Sequence, residues 1–230
     1  MASPRRSRLP GRPAFASLLA GLALAASLAA VALDVARLRS AYFRAVASAP
    51  ESRFSAWAGL LESARRLPAA EQLARVNDFF NQRVRFVEDA EHWGQSDYWA
   101  TPMETLAHAA GDCEDFAIAK YFTLLALGMP VDRLRLTYVR AQLAAPGGGT
   151  AQQAHMVLAY YPTPDAEPLV LDNLVPGIQP ASRRTDLSPV FNFNSERIYQ
   201  MGAGKAATTG VSQLSRWADA LKRARTDGFD

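Results

Sequence analysis

The sequence predicts an α+β fold in which one buried helix packs on an antiparallel sheet. Apolar residues recur at the three- and four-residue spacing of helices through much of the chain up to Leu127. Beyond Pro130 the pattern changes to short alternating or continuously apolar stretches, which are typical of strands. With 230 residues and a hydrophobic content of 49%, the chain can bury a core, and a single domain is expected.

The N-terminal segment has the layout of an export signal. Residues 1–12 carry four arginines, and residues 14–33 form an apolar run rich in Ala and Leu. A small-x-small site at residues 30–32 favours a signal peptide spanning residues 1–32, whereas the length of the run equally suits an N-terminal membrane anchor. Both interpretations export the rest of the chain.

The formal net charge of +3 comes from that same segment. Four of the 25 basic residues lie within residues 1–12, and the first acidic residue is Asp34. Without residues 1–32 the chain carries 21 basic and 22 acidic residues, a net charge of −1. Charge therefore gives no support to a nucleic-acid-binding function.

A helical lead-in is expected at residues 33–70, before a core domain at residues 71–200. The lead-in consists of a helix at residues 34–48 and an amphipathic helix that ends at Pro68. The core begins with a further helix at residues 70–83, which has the same helical apolar spacing. These apolar stripes indicate packing and not a ligand site.

Residues 88–99 are predicted to form a loop rich in acidic and aromatic side chains. Trp93 and Trp99 either seal the core beneath this loop or line a groove that receives a peptide substrate. The residues from Thr101 to Glu104 then have the pattern of a capping box with Pro at the first helical position. A helix start explains that pattern without any chemistry.

The chain contains one cysteine, Cys113, within the segment Gly-Asp-Cys-Glu-Asp-Phe. The apolar pattern after it predicts a buried helix that ends near Gly128, so that Cys113 lies in the first helical turn. Free backbone N–H groups and the positive end of the helix dipole favour a thiolate there. A small buried core cysteine is the alternative, but core cysteines seldom lie among three carboxylates.

His155 is the best-placed general base among the three histidines. It begins a predicted strand, and a second strand that ends with Asp172 follows a Pro-rich turn. A hairpin centred on residues 163–164 places His155 opposite Asp172, so that the carboxylate would hold Nδ1–H and the other ring nitrogen would face the thiol. The sequence therefore predicts a catalytic triad of Cys113, His155 and Asp172.

The acids around the cysteine pose an electrostatic problem, because three carboxylates beside a thiol raise its pKa. Bound calcium would cancel the local charge, and Asp112, Glu114 and Asp115 are the candidate ligands. Asp89 and Asp97 in the preceding loop are further candidates. The alternative is helix capping alone, with Asp112 as the N-cap and Asp115, three residues later, acting like the acid of a capping box. Zinc is not expected, because one cysteine and one histidine do not make a site.

The last part of the chain, residues 201–230, is expected to be a linker followed by an amphipathic helix. Before it, residues 176–189 are predicted to be loop and residues 190–193 a final strand. Residues 201–210 are small and polar, as in a mobile linker. The terminal helix either docks on the core or contacts a membrane surface.

Several motifs resemble the bacterial transglutaminase-like cysteine protease family, whose LapG-type members are periplasmic proteases. They are the Gly-Asp-Cys-Glu-Asp-Phe segment, Asp-Tyr-Trp at residues 97–99, Thr-Pro-Met-Glu at residues 101–104, the His-Met-Val-Leu strand and Leu-Asp-Asn-Leu. The resemblance covers roughly residues 79–193, with the motifs in the family's order. It implies a papain-like, transglutaminase-like core with a Cys-His-Asp triad.

The resemblance also implies calcium dependence, a large surface adhesin as substrate, and an effect on biofilm attachment. It further implies an inner-membrane receptor for cyclic di-GMP that sequesters the protease, and a periplasmic location, with residues 14–33 as the anchor if they are retained. Two other functions stay open on the residues themselves. One is transglutaminase or amidase acyl transfer through the same triad, and the other is a calcium-responsive binding module in which Cys113 is incidental.

Overall fold

The first half of the chain is helical, as its apolar spacing predicts. The structure, a computed structural model, describes residues 33–144, 147–200, 206–207 and 210–229, so the predicted signal peptide or anchor at residues 1–32 lies outside the described residues. Within the described ranges, no helix is both long enough and apolar enough to cross a membrane. The helices are α1 (Val35–Ala45), α2 (Glu51–Ala64), α3 (Ala69–Arg83), α4 (Asp89–His92), α5 (Pro102–His108), α6 (Cys113–Ala126) and α7 (Ser215–Asp227).

The second half forms an antiparallel sheet. The strands are β1 (Arg85–Phe86), β2 (Ala110–Gly111), β3 (Leu134–Ala144), β4 (Thr150–Tyr160), β5 (Leu169–Leu171), β6 (Gln179–Pro180), β7 (Leu187–Phe193), β8 (Ile198–Gln200) and β9 (Ala206–Ala207). Seven of the described strands make one sheet in the order β6-β5-β4-β3-β7-β8-β9. The other two, β1 and β2, form a short parallel pair next to the start of α6. This architecture confirms the predicted α+β fold.

Helix α6 is buried because its residues are apolar on almost every side. Its side chains from Phe116 to Leu124 are all buried, and the helix packs against the inner face of β3 and β4. The predicted position of Cys113 in the first turn is confirmed, since the helix begins at that residue. The nucleophile candidate therefore stands at the end of a rigid, fully supported element.

The lead-in helices share this core. Leu38 and Tyr42 of α1 and Trp57 of α2 are fully buried. The indole N–H of Trp57 donates to Oγ1 of Thr123 in α6, with 3.0 Å between the two atoms. Residues 33–70 are thus packed against the nucleophile helix, even though the sequence sets them apart from the core domain.

The terminal helix α7 is docked on the core. Trp217 is fully buried, and its indole N–H donates to the carbonyl oxygen of Asn194 at 3.0 Å. The Trp217 ring also contacts Tyr121, Phe122 and Phe193 edge-on or tilted. Because the apolar face of α7 is covered by these contacts, the docked interpretation is confirmed, and the helix has no comparable face left for a membrane surface.

Two segments predicted to be loop contain strand. Strand β7 begins at Leu187 and includes Pro189, which the sheet accommodates because its register with β3 shifts between Tyr138 and Val139. Residues 206–207, in the predicted mobile linker, form β9 and pair with β8. The rest of that linker, residues 201–205 and 208–209, lies outside the described residues.

Candidate active site

A helix cap and a tight turn position the backbone that leads to Cys113. The predicted capping box is present, with the Thr101 hydroxyl accepting from the Glu104 N–H and the Glu104 carboxylate accepting from the Thr101 N–H. After α5, the chain turns through Ala109 in the left-handed region, with φ at 50°. Gly111 then passes so close to Asp115 that a Cβ atom would lie 2.5 Å from its Oδ2. Only glycine fits there, which accounts for the Gly in the motif.

The Cys113 thiol is mostly enclosed and surrounded by negative charge. It donates to Oε2 of the adjacent Glu114, with 2.8 Å between sulfur and oxygen. Burial is the largest cause that raises the pKa of Cys113, and Glu114 and Asp112 raise it further. The backbone N–H of Met156 acts in the opposite direction and lowers this pKa. Without a compensating cation, these surroundings favour the thiol over the thiolate.

The imidazole of His155 and the carboxylate of Asp172 are in direct contact, but through a different register and a different nitrogen from those predicted. Nε2 of His155 lies 2.8 Å from Oδ1 of Asp172, and both side chains are buried. The β4–β5 ladder pairs Leu158 with Leu171, which is two residues out of the predicted register and leaves Asp172 just beyond the strand. Nε2, and not the predicted Nδ1, therefore meets the carboxylate, so Nδ1 is the nitrogen left to accept a proton.

Asp172 has a second charged partner, Arg184, which was not among the predicted site residues. Nη2 of Arg184 donates to Oδ2 of Asp172 at 2.7 Å and is itself held by Asp186. Burial would raise the pKa of Asp172, but the hydrogen bond and charge of His155, the N–H of Leu174 and Arg184 lower it to about 2. Asp172 is thus a firmly ionised group behind the imidazole.

Lys120 lies beneath this arrangement in α6. Its side chain is only 1% exposed, and Nζ donates to Oδ1 of Asn77 at 2.9 Å. The amide of Asn77 then donates to the carbonyl of Pro176, and the neighbouring Asn81 donates to the carbonyl of Asp172 at 2.7 Å. This network joins α3 and α6 to the loop that carries Asp172. Burial is the main cause that lowers the pKa of Lys120 to about 7.

The acidic cluster is larger than capping requires. Asp112 occupies the N-cap position of α6 but makes no side-chain capping hydrogen bond, and Asp115 accepts from the N–H of Ala100 at 2.7 Å. The capping hydrogen bond expected from the Asp112 side chain is therefore absent. Oδ1 of Asp112 and Oδ1 of Asp89 are buried without a hydrogen-bond partner, while the other oxygen of Asp89 accepts from the N–H of Tyr98.

Oxygen atoms of these acids are close enough to share a cation. Ligand atoms of Asp89, Asp112 and Asp115 lie within 4.8 Å of one another, as do those of Asp89, Asp97 and Glu114. Burial is the largest cause that raises the pKa of Asp112, Glu114, Asp115 and Asp89. Buried carboxylates with unused oxygens are the donor set that calcium prefers, so the residues fit this ion. Asp89, a secondary candidate on sequence and the first residue of α4, belongs to both groups.

Cys113 and His155 line one cleft of about 390 Å³. Trp99 is in its wall, where it stacks on Phe193 at 5.9 Å between ring centres. Trp93, the other predicted substrate contact, is not among the described residues that line the cleft; it packs against His92, His108 and Tyr98. The remaining lining residues are Phe86, Glu88, Ser96, Asp97, Asp112, Glu114, Tyr138, Leu143, Gln153, Ala154, Met156 and Leu174.

Comparison with known proteins gives consistent matches. Residues 61–187 match the model of the bacterial transglutaminase-like cysteine proteinases (BTLCP). Calcium-bound LapG from Legionella pneumophila is 40% identical and superposes with a TM-score of 0.67, with 82% of this chain and 98% of that chain covered. EGTA-treated LapG from the same organism is 39% identical with a TM-score of 0.68, over 81% of this chain and 97% of that one. The comparison with curated proteins finds no significant match.

The family assignment agrees with the geometry of the cleft. The matched segment contains α6, β4 and β5, which are the elements that position Cys113, His155 and Asp172. The coverage and identity exceed what a shared fold alone would give. The chain belongs to the bacterial transglutaminase-like cysteine proteinase family and is a cysteine protease.

Proposed function

We propose that this protein is a calcium-dependent endopeptidase that cleaves a large exported adhesin through Cys113, His155 and Asp172. The observation that carries the proposal is one cleft lined both by the chain's one cysteine, at a helix start, and by a histidine that contacts an ionised aspartate. Buried nucleophile, base and orienting carboxylate are the parts that acyl transfer requires.

The chemistry follows from the atoms that are free to react. Asp172 holds Nε2–H of His155, so Nδ1 accepts the thiol proton while the sulfur attacks the carbonyl carbon of the scissile peptide. The tetrahedral intermediate then breaks its C–N bond, and the imidazolium returns the proton to the leaving amine. Water hydrolyses the thioester and restores the thiol. The backbone N–H of Cys113, at the start of α6, is the proposed first donor to the oxyanion.

Calcium would be held by Asp112, Glu114 and Asp115, with Asp89 from α4 and Asp97 from the loop between α4 and α5. When bound, it supplies positive charge beside the thiol, which opposes the raised pKa of Cys113. Glu114 has two tasks in this proposal, because its carboxylate is both a candidate ligand and the acceptor that now holds the thiol. A relative of 40% identity has been solved with calcium bound, which supports the assignment.

The proposal also includes the cellular location of the protease, its substrate and its regulator. The apolar run at residues 14–33 supports export to the periplasm, as a cleaved signal or an anchor. There the protease would act on a surface adhesin and so affect biofilm attachment, and an inner-membrane receptor for cyclic di-GMP would sequester it. Cell fractionation checks the location, since recovery of the protein in the cytoplasmic fraction would contradict it.

A cleavage assay tests the proposed reaction. The protein is mixed with an extended segment of a repeat-containing exported protein from the same genome, with calcium or with EGTA. We expect cleavage with calcium, and loss of it by at least about 1,000-fold with Cys113→Ala or with EGTA. Equal cleavage by the Cys113→Ala variant would end the catalytic assignment.

A further inference from the structure

Strand β4 has a free edge beside the thiol. It pairs with β3 along its whole length, from Thr150 to Tyr160, but with β5 only through its last three residues, Leu158 to Tyr160. Among the described residues, no strand pairs with that second edge at residues 150–157. Residues 150–154 are also exposed at the distal end of the hairpin.

The ladder determines which main-chain groups face this edge. The N–H of Tyr161 donates to the carbonyl of its β3-side partner Arg133 at 2.8 Å. In an antiparallel pair, such bonded pairs alternate with residues whose N–H and C=O point to the other side. Odd-numbered residues of β4 are therefore bonded to β3, and Gln152, Ala154 and Met156 direct their main-chain groups to the free edge.

The main-chain groups on the free edge of β4 lead into the cleft that contains Cys113. Gln153, Ala154, His155 and Met156 all line the cleft that contains Cys113. The free edge is thus one continuous row of donors and acceptors that begins in solvent and runs into the cleft that contains Cys113.

The composition of this edge is unusual for an exposed strand. Exposed edges are normally protected by charged residues, proline or bulges, because they are templates for pairing with another chain. Residues 150–154 read Thr-Ala-Gln-Gln-Ala, with no charge and no proline, and the β3–β4 register is unbroken. An unprotected edge that leads into a cleft suits a peptide that adds as a further strand.

We propose that the substrate binds as an added β-strand along the free edge of β4, with hydrogen bonds to the main chain of Gln152 and Ala154, and so enters the cleft at Cys113. This inference rests on the proposed protease function. It names the substrate class, a locally extended segment whose own main-chain hydrogen bonds are unmade. Segments held in a helix or in the middle of a sheet are then poor substrates until they unfold.

The test compares two substitutions at one residue. Gln152→Ala and Gln152→Pro both remove the glutamine side chain, but only proline removes the outward N–H, at an edge position where proline is tolerated. Peptides are selected from a displayed library of unstructured sequences for cleavage by the calcium-loaded protein and not by its Cys113→Ala variant. We expect kcat/KM for Gln152→Pro to be about 3- to 10-fold below that for Gln152→Ala. The rate at which iodoacetamide alkylates Cys113 should be equal in the two.

A second measurement covers the case in which Gln152→Pro fails to fold. Each main-chain nitrogen of a selected peptide is methylated in turn, and cleavage by the unaltered protein is measured. We expect losses at alternate positions, because only every second residue of an added strand bonds to β4. Uniform or absent effects, or equal cleavage by two folded Gln152 variants, would overturn the proposal while leaving the protease assignment intact. A library without any Cys113-dependent cleavage would overturn both.

Discussion

At the residue scale, the site depends on the buried ion pair between Arg184 and Asp172. Arg184 is not a member of the predicted triad. Arg184 is 4% exposed and bridges Asp172 and Asp186. A buried carboxylate that must also hold an imidazole is better oriented with a second cation on its other oxygen. We therefore regard Arg184 as a positioning residue that acts on His155 through Asp172.

Replacing Arg184 should be costly because it leaves Asp172 buried with one charged partner fewer. We expect Arg184→Met to lower the free energy of unfolding by about 3–5 kcal/mol, measured by urea denaturation. The matched control is Arg183→Met at the exposed neighbouring position, which should change stability by less than about 0.5 kcal/mol. Equal effects of the two substitutions would contradict the role given to Arg184.

Lys120 makes a prediction about pH. Its pKa in the folded protein is about 7, against an ordinary value of 10.5, so between these values the unfolded chain binds more protons. The contribution of Lys120 to stability therefore rises with pH from about 7 to about 10 and is least favourable below 7. Relative to the parent, Lys120→Met should be more stable at pH 6.5 than at pH 9.5, by on the order of 2–4 kcal/mol.

The measurement for Lys120 is a set of urea denaturation curves across that pH range. Lys222→Met, which removes an exposed lysine of α7, is the control and should show no comparable trend. A stability difference for Lys120→Met that stays constant with pH would contradict a pKa of about 7 for Lys120 in the folded protein.

At the element scale, the start of α6 is where sequence and structure agree most closely. The turn, the glycine and the first helical residue are all local features, and local patterns specify them. The contact between His155 and Asp172 was also predictable, but its register was not, because the turn after β4 spans residues 161–168 and its Pro-rich sequence allows several pairings. Arg184 could not be chosen from sequence, since a loop that follows one short strand can bring many residues back to it.

Gly111 gives a prediction about this element. Gly111→Ala would place a methyl group against the side chain of Asp115, so we expect a loss of stability of about 1–3 kcal/mol. Gly177→Ala is a control with no atom within 4 Å of the added Cβ. Thermal unfolding of both variants checks the difference, and a Gly111→Ala variant as stable as Gly177→Ala would rule out the close approach.

At the scale of the whole molecule, α1, α2 and α7 enclose the helix that carries the nucleophile. Phe229, just after α7, contacts both Trp57 of α2 and Phe122 of α6. The sequence predicted each of these helices from its apolar stripe but could not say which faces meet, because helical spacing defines a face and not its partner. The full acidic cluster was unpredictable for a similar reason, because Asp89 joins Asp112 only when the fold brings α4 and α6 together.

Calcium should therefore stabilise the folded chain as a whole. A ligand at 100 times its Kd adds about 2.7 kcal/mol to the free energy of unfolding, and we expect a corresponding rise in Tm with calcium over EGTA. Calorimetry should show calcium affinity at least about 10-fold weaker for Asp112→Asn, with Glu62→Gln at an exposed site of α2 as the matched control. Unchanged affinity in Asp112→Asn would remove this residue from the site.

The most direct test of the active site is the alkylation rate of Cys113, which is unambiguous because the chain has one cysteine. With calcium near pH 7, we expect iodoacetamide to label the protein faster than a free model thiol, and His155→Ala to slow labelling at least about 10-fold. A rate no faster than that of the model thiol, or one unchanged by His155→Ala, would contradict the activation of Cys113 by His155.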